Sequence, residues 1–268
     1  MNTIKLIIPA RLASSRFPQK PLAKIHGIPL VAHCIFRAQK VRGIDEIVIA
    51  TCDESIAQIG RECGVMVAMT AANHTNAISR TAEVVECLPP DTSKSLGVIM
   101  LQGDEPLISV RAIEKIGEML QTLNTKNALV AINAVSPIRD DTTWNSPDCP
   151  KVVISNRNEI IYMSRSPIPH QANSDSSRLS YLQTGLIGLS RAALDFFRST
   201  KPGPIEISEG IDMLRFIENG ESVLAAPIDE VSLGVDRPSD IAVAEAMLLE
   251  DATFSMYQQR KLDFLDNA

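Results

Sequence analysis

Apolar strands alternate with stretches of helical periodicity in the first half of the chain. Five short runs, rich in β-branched residues, are separated by segments whose apolar residues recur every three or four positions. Asp53 is placed to cap one of these segments through its carboxylate. This alternation is typical of βαβ units in a parallel sheet with helices on both faces. The predicted strands are Leu6–Ile8, Glu46–Thr51, Val65–Met69, Leu96–Leu101 and Ala128–Asn133.

A β-rich region interrupts this alternation in the second half. Prolines and polar residues fill 137–150, where no helical period is found. Two strands joined by turn residues follow, Lys151–Ile154 and Glu159–Met163, and an apolar strand is expected over Leu182–Leu189. We therefore predict a β-rich lobe inserted over about residues 133–189.

The remaining segments complete one α/β domain, which is expected to cover residues 1–250. A single helix is predicted from Pro204 to Arg215, and its acids fall on one side at three-residue spacing, which on physical grounds is a solvated face. Residues 251–268 carry scattered charge without periodicity. We expect them to form a C-terminal tail, packed or frayed at the surface.

Composition indicates a globular protein and argues against several functions. The 268 residues are 45% hydrophobic and 22% charged, which is ordinary for a folded domain. A net charge of −6 argues against broad binding to nucleic acid or anionic membranes. No apolar run approaches the roughly 18 residues of a membrane span, so a cytoplasmic location is expected. The five cysteines are odd in number and lack Cys-x-x-Cys spacing, which predicts neither a disulfide framework nor a zinc site.

The loop after the first strand is basic against this acidic background. It carries Arg11, Ser14, Arg16 and Lys20, and the first 24 residues contain no acid. Arg binds phosphate oxygens by bidentate donation and Lys binds them as a point charge. Open α/β sheets bind ligands at the carboxyl ends of their strands, so we predict a polyphosphate site here, with a solvated basic loop as the alternative. The Gly-Lys-Ser/Thr ending of a Walker A loop is absent.

An acidic turn follows the fourth predicted strand. Asp104 lies in the pentapeptide Gln102-Gly103-Asp104-Glu105-Pro106, at the same sheet edge as the basic loop. It could merely cap the next helix. Carboxylate oxygens at this edge would also suit Mg²⁺, which is held by one or two carboxylates together with substrate phosphates.

Three motifs together resemble those of one enzyme family. They are the string from Ile8 to Leu22, the pentapeptide 102–106 and the string from Gly234 to Asp240. They resemble the CMP-Kdo synthetases (3-deoxy-manno-octulosonate cytidylyltransferases), where Kdo is the acidic sugar. The resemblance implies a Rossmann-like nucleotidyltransferase fold, a homodimer, and an enzyme of lipopolysaccharide biosynthesis that joins CTP to Kdo or a Kdo-like sugar and releases pyrophosphate.

The resemblance also implies roles for individual residues. Mg²⁺ is expected to bind Asp104 and Asp236, which with Arg11 and Lys20 form the implied catalytic set. The CTP-binding residues that it implies are Arg11, Ser14, Arg16, Lys20, Arg80 and Gln102. Those implied for the acidic sugar are Arg165, Gln183, Glu206 and Glu209.

Several positions depart from the family pattern. Gln19 stands where the family usually has Gly, and the loop Asn73–Arg80 keeps only two of the family's residues. Ile187 and Leu189 replace two tyrosines beside the sugar, which predicts a drier wall and poorer use of ordinary Kdo than of an analogue with fewer hydroxyls. The alternatives are a cytidylyltransferase for another acidic acceptor (a modified Kdo, another acidic sugar or a phosphonate) or a catalytically silent nucleotide-binding relative.

Overall fold

A mainly parallel sheet with helices on both faces forms the centre of the molecule. The computed structural model describes residues 2–87, 96–125, 128–170, 172, 180–230 and 232–260. The strands are β1 (Thr3–Pro9), β2 (Lys24–Ile25), β3 (Ile28–Pro29), β4 (Glu46–Thr51), β5 (Met66–Met69), β6 (Leu96–Leu101), β7 (Ala131–Pro137), β8 (Lys151–Ile154), β9 (Ile160–Ser164), β10 (Tyr181–Ser190) and β11 (Val223–Pro227). The helices are α1 (Leu30–Ala38), α2 (Glu54–Glu62), α3 (Ala77–Glu86), α4 (Val110–Leu123), α5 (Asp141–Asn145), α6 (Arg191–Ser199), α7 (Pro204–Glu209), α8 (Leu214–Glu218), α9 (Asp240–Leu249) and α10 (Ala252–Ser255).

The strand order of the main sheet is β11-β7-β10-β6-β1-β4-β5. Strand β1 pairs in parallel with β4 and β6, and β5 and β11 also run parallel to their neighbours. Only β10 enters this row antiparallel, between β6 and β7. The predicted α/β fold with a mainly parallel sheet is therefore confirmed. The carboxyl ends of β1 and β6 lie side by side, which brings the basic loop next to the acidic turn.

The β-rich region joins the main sheet through its longest strand. Strands β8 and β9 form the predicted antiparallel hairpin, and β8 also pairs with β10. The polar segment before the hairpin contains the five-residue helix α5, which the sequence analysis missed because one turn is too short to show a period. The Asp140 carboxylate caps this helix by accepting the Thr143 N–H at 2.7 Å.

The prediction of a single helix from Pro204 to Arg215 is wrong. It is two short helices, α7 and α8, because Gly210 takes a left-handed conformation with φ of 62° and ends the first. The break turns the second helix back, so that the Arg215 guanidinium donates to both Glu206 oxygens at 2.6 and 2.8 Å. Both side chains are 7% exposed, and the expected solvated acidic face is in part a buried ion pair.

Two aromatic side chains among the first ten residues of the expected tail pack into the core. Phe254 and Tyr257 are almost fully buried against α1, where the Tyr257 hydroxyl hydrogen-bonds the His33 ring at 3.1 Å. Asp251 forms an ion pair of 2.9 Å with the buried Arg37. A four-residue helix gives no periodic signal, which is why the sequence did not predict this packing. The rest of the expected tail, 261–268, lies outside the described residues.

No helix among the described residues combines the length and the apolar character that a membrane crossing requires.

The aromatic cover of α1 generates a stability prediction. Phe254→Ala should lower the free energy of unfolding by about 3–5 kcal/mol, because it leaves a cavity between α1 and α10. Met256→Ala is the matched control: its side chain is 62% exposed, so the change should stay within about 0.5 kcal/mol. Urea unfolding of both variants gives the two values. Equal, small effects would contradict a packed terminal segment.

Candidate active site

A cleft of about 1010 Å³ opens at the carboxyl ends of β1 and β6. Its walls come from the basic loop, the turn after β6, the cleft end of β10 and the loop before α9. All the predicted site residues except Glu206 and Glu209 line it. The fold thus brings together side chains that lie up to 225 positions apart in the sequence, namely Arg11, Ser14, Arg16, Lys20, Arg80, Gln102, Asp104, Arg165, Gln183 and Asp236.

Backbone hydrogen bonds fix the shape of the basic loop. The Leu12 N–H donates to the Asp53 carboxylate at 2.8 Å, and the Gln19 N–H donates to the Leu12 carbonyl at 3.1 Å. Asp53 was expected to cap α2 through its side chain, and that expectation is wrong: its carboxylate makes no cap hydrogen bond and holds the basic loop instead. A carboxylate can accept from either partner, and only the fold decides which is nearer.

Gln19 adopts a left-handed conformation just before the site lysine. Its φ is 59° and its ψ is 21°, a region that disfavours residues with a Cβ. This geometry gives a physical reason for the glycine that the resembled family usually has here. It also directs the chain into a 3₁₀ turn, Lys20–Leu22, from which the lysine side chain enters the cleft.

Lys20 lies between two carboxylates that come from different loops. Its Nζ donates to Asp104 Oδ2 at 2.7 Å and to Asp236 Oδ1 at 3.1 Å. Burial lowers the pKa of Lys20, but the attraction of the two carboxylates outweighs it and the pKa is raised. The Arg16 guanidinium donates to the same Asp236 oxygen at 3.0 Å. The three segments therefore meet in one charge cluster.

Asp148 extends this cluster and was missed by the sequence analysis. It accepts from Arg16 at 2.9 Å and from two nitrogens of Arg237 at 2.7 and 2.9 Å. The hydrogen bond from Arg237 is the main cause that lowers the pKa of Asp148. Nothing in the polar loop around Asp148 signals these partners, because they lie 132 and 89 positions away.

The donor set of this cluster fits Mg²⁺ only as part of a larger complex. The described part of the chain contains no group of three or more His, Cys, Asp or Glu side chains that could hold a metal ion. Asp104 and Asp236 do share one cation, Lys20, so their oxygens face a common point. Mg²⁺ in proteins is usually coordinated by one or two carboxylates, with substrate phosphates and water as its remaining ligands.

Glu105 is a second residue that the sequence analysis did not assign. Its side chain is buried, and it accepts the Gly185 N–H at 2.6 Å and the Ser232 hydroxyl at 2.7 Å. Burial, followed by the neighbouring Asp104 charge, raises the pKa of Glu105 to about 7. These bonds tie the acidic turn to the irregular stretch of β10 and to the loop before α9.

Gly185 is required by the close approach of β10 to the acidic turn. A Cβ at this position would lie 2.8 Å from the Gln102 Cβ. The Gly185 carbonyl accepts the Gln102 N–H at 2.9 Å, in the stretch where the register between β10 and β7 shifts. The glycine therefore lets the strand pass against Gln102 and fixes that residue at the cleft.

The altered loop Asn73–Arg80 is an ordered helix start. The Asn76 side chain caps α3 by accepting the Ser79 N–H at 2.8 Å, and the His74 carbonyl accepts from Arg11 at 2.8 Å. The Arg80 side chain is buried in the cleft wall, where it donates to the Thr70 hydroxyl. The departures from the family pattern thus leave a loop that still contacts the basic segment.

The predicted acceptor residues divide into two groups. The Arg165 guanidinium reaches the cleft and donates to three backbone carbonyls, those of Pro147, Glu209 and Gly210, at 2.7–3.3 Å. Arg has five N–H groups, so two remain for a ligand. The fold does not bring Glu209 to the cleft, because its carboxylate accepts the Ser164 hydroxyl and the Arg165 N–H. Glu206 is likewise kept out of the cleft, because its carboxylate forms the ion pair with Arg215.

The wall beside the acceptor residues is partly apolar. Ile187 lines the cleft with Ile211 and Met213, as the sequence analysis expected of Ile187. Leu189 does not, because β10 carries it two residues deeper into the core, where it is fully buried.

Asp212 also lines the cleft and was not predicted as a site residue. Burial, followed by the charge of Glu206, raises the pKa of Asp212 to about 6.

The buried Glu105 generates a prediction on pH-dependent stability. Its folded pKa of about 7 lies above the ordinary value of 4.5, so the folded state favours the protonated form. This contribution is complete below pH 4.5 and is lost as the pH rises through 7, on the order of 3 kcal/mol. Glu105→Gln should reduce the loss between pH 5 and pH 8 by this amount, while the part that Asp212 contributes remains, as measured by urea unfolding.

The control for this prediction is Glu118→Gln, on the exposed side of α4. It should keep the pH dependence of the unaltered protein. If Glu105→Gln also keeps that dependence, the carboxyl group does not titrate in this range.

Comparisons with known proteins agree with the fold and identify the family. The chain matches the cytidylyltransferase family model over residues 6–223. It is 35% identical to 3-deoxy-manno-octulosonate cytidylyltransferase of Anaeromyxobacter dehalogenans, covering 94% of this chain and 100% of the relative. It is 37% identical to the enzyme of the same name from Syntrophotalea carbinolica, covering 92% of this chain and 98% of the relative.

Solved structures give the same result. A CMP:2-keto-3-deoxy-manno-octonic acid synthetase complexed with CTP superposes with a TM-score of 0.82 at 29% identity, covering 93% of this chain and 99% of that one. The 4-diphosphocytidyl-2C-methyl-D-erythritol synthase of Anaerococcus prevotii shares the fold at a TM-score of 0.61 and 16% identity, covering 92% of this chain and 99% of that one. From its sequence matches and its fold, the chain belongs to the cytidylyltransferase family, in the group of the 3-deoxy-manno-octulosonate cytidylyltransferases.

Proposed function

We propose that this protein transfers the cytidylyl group of CTP to Kdo, with release of pyrophosphate. The observation that carries the proposal is the cluster of Lys20, Asp104 and Asp236 in one cleft at the carboxyl edge of the sheet. The relative from Anaeromyxobacter dehalogenans is named for this reaction, and the synthetase at 29% identity was solved with CTP. An ordered cleft that keeps both acids favours an active enzyme over a silent relative.

The reaction is an in-line displacement at the α-phosphorus. A hydroxyl of the sugar forms the new O–P bond while the bond to pyrophosphate breaks. Such a transfer depends on charge neutralisation and alignment more than on covalent catalysis. Mg²⁺ held by Asp104 and Asp236 would supply part of this neutralisation at the phosphate oxygens.

The chain's own cations would bind the triphosphate. Arg11 uses one N–H on the His74 carbonyl, and its remaining donors are free to reach phosphate oxygens. Arg16 and Lys20 lie beside it on the same loop, and the Ser14 hydroxyl can donate from the loop wall.

Arg80 and Gln102 line the cleft on the side proposed for the nucleoside.

Arg165 and Gln183 are the proposed contacts of the acceptor. The Arg165 guanidinium, held by three carbonyls, has two N–H groups left for a sugar carboxylate. Ile187 offers no hydrogen bond at the neighbouring wall. This apolar wall favours, as a second candidate, an acidic acceptor that carries fewer hydroxyls than Kdo on that side.

We further propose a cytoplasmic homodimer that serves lipopolysaccharide biosynthesis. Support for the dimer comes from three exposed isoleucines on the neighbouring elements β9 and α7, with exposures of 40–71%: Ile161, Ile205 and Ile207. The two elements are joined by the Tyr162 hydroxyl, which donates to Glu209 at 3.4 Å. Exposed apolar side chains of this size are the groups that a dimer interface would bury.

The proposed metal ligands can be tested by charge removal. Asp104→Asn and Asp236→Asn should each lower the kcat of CTP- and Kdo-dependent pyrophosphate release at least about a hundredfold, because the carboxylates that hold Mg²⁺ are lost. Asp195→Asn is the control, since that residue pairs with Arg191 on the exposed side of α6. Circular dichroism checks that each variant is folded. Full activity in either site variant removes that residue from the proposed metal site.

Substrate comparison tests the cleft wall. With CTP as donor, we expect a Kdo analogue lacking one hydroxyl to reach at least the kcat/KM of Kdo, because a hydroxyl left unpaired at Ile187 costs roughly 1–3 kcal/mol. CTP should be used in preference to UTP, ATP and GTP. If Kdo surpasses every deoxy analogue tried, Ile187 does not face the acceptor. Equal rates with all four nucleotides would sink the cytidylyl proposal.

A further inference from the structure

The ammonium group of Lys20 fills the space between the two acids of the cleft. It lies 2.7 Å from an Asp104 oxygen and 3.1 Å from an Asp236 oxygen. The Lys20 side chain is only 10% exposed, whereas the two carboxylates are 26% and 31% exposed. The two acids thus face the cleft, and the lysine lies deeper, at the point where they converge.

A divalent cation and this ammonium group compete for one position. Mg²⁺ binds carboxylate oxygens at about 2.0–2.1 Å, so an ion shared by both acids needs the space that Nζ and its hydrogens fill. The two cations also repel each other at that distance. Asp236 is doubly engaged, because the same oxygen accepts from Arg16 at 3.0 Å. Metal binding to both acids therefore requires these cations to move.

A triphosphate supplies the reason for that movement. Its oxygens are the preferred partners of Arg and Lys, and they also complete the coordination of Mg²⁺. The Lys20 ammonium group can move to the phosphates without a change in the backbone, because its four-carbon stem is flexible. The backbone N–H of Lys20 can keep its hydrogen bond to the Phe17 carbonyl, at 3.2 Å. Arg16 contacts Asp236 through Nη2, and its other nitrogen, Nη1, donates to Asp148 at 2.9 Å. This second contact keeps Arg16 beside the cleft when the first one breaks.

We propose that Lys20 acts as a built-in counter-ion that excludes divalent metal from Asp104 and Asp236 until a nucleoside triphosphate binds. The phosphates then draw Lys20 and Arg16 away from the acids, and the metal enters together with the nucleotide. This inference rests on the proposed function in one respect, that Asp104 and Asp236 are the metal ligands. It adds an order of binding, in which the metal binds this site only weakly until the nucleotide is present.

Direct metal binding tests the proposal without turnover. Mn²⁺, which shares the preference of Mg²⁺ for oxygen ligands, is titrated into the protein and followed by electron paramagnetic resonance. The free protein should bind Mn²⁺ at this site at least about tenfold more weakly than Lys20→Met, in which the charge is removed and the length is kept. Adding a non-hydrolysable CTP analogue to the unaltered protein should produce one tightly bound Mn²⁺.

Arg16→Met is the matched control, since it removes a cation that touches Asp236 but leaves Lys20 between the acids. Because Lys20 still fills the position shared by both acids, Arg16→Met should gain much less Mn²⁺ binding than Lys20→Met. Lys20→Gln serves in place of Lys20→Met if circular dichroism shows the latter to be unfolded. If the free, unaltered protein binds Mn²⁺ as tightly as these Lys20 variants, the counter-ion role is overturned.

A double variant separates this inference from the proposed function. Lys20→Met combined with Asp104→Asn should lose the Mn²⁺ binding that Lys20→Met gains, which would support both the exchange and the ligand. If the double variant binds as tightly as the single one, the metal does not use Asp104, and the proposed metal site fails together with the inference. A different result would overturn only the proposed exclusion of metal by Lys20. In that case the free, unaltered protein binds Mn²⁺ tightly and Asp104→Asn abolishes the binding, so Asp104 is still a metal ligand.

Discussion

The contact of Lys20 with Asp104 and Asp236 sets the relative positions of three loops. Each carboxylate lies after a different strand, and each would repel the other without the ammonium between them. The lysine reaches them from a loop in which Gln19 takes a left-handed conformation and whose start is held by the Asp53 carboxylate. Backbone geometry, an auxiliary carboxylate and the charge cluster thus form one connected arrangement, and the cleft exists where they meet.

The same arrangement concentrates unfavourable features beside the chemistry. Glu105 is a buried acid with a raised pKa, Gln19 has a conformation suited to glycine, and β10 loses its regular register beside the acidic turn. Each would weaken a protein selected for stability alone. Their compensation is local: Gly185 and Ser232 satisfy the Glu105 carboxylate, and a large apolar core lies directly beneath.

Periodicity predicted the strands and long helices well because burial imposes one pattern over many residues. It failed where one residue or one distant contact decided the outcome. Gly210 divides a helix, Asp53 takes a loop N–H as its partner, and Glu206 meets Arg215 only after the chain has reversed. In the site, the basic loop and the acidic turn are local signals, and local composition was enough to find them. Asp148 and Glu105 act through partners that only the fold makes neighbours.

The C-terminal segment places a limit on how short a working version of this protein can be. The match to the cytidylyltransferase family model covers residues 6–223, but Asp236 and the aromatic cover of α1 by Phe254 and Tyr257 come after it. A fragment that ended at residue 223 would lack one acid of the charge cluster and expose the helix that carries the buried Arg37. A working version should therefore keep the chain through Arg260, whose guanidinium donates to the Gln39 side chain at 2.8 Å.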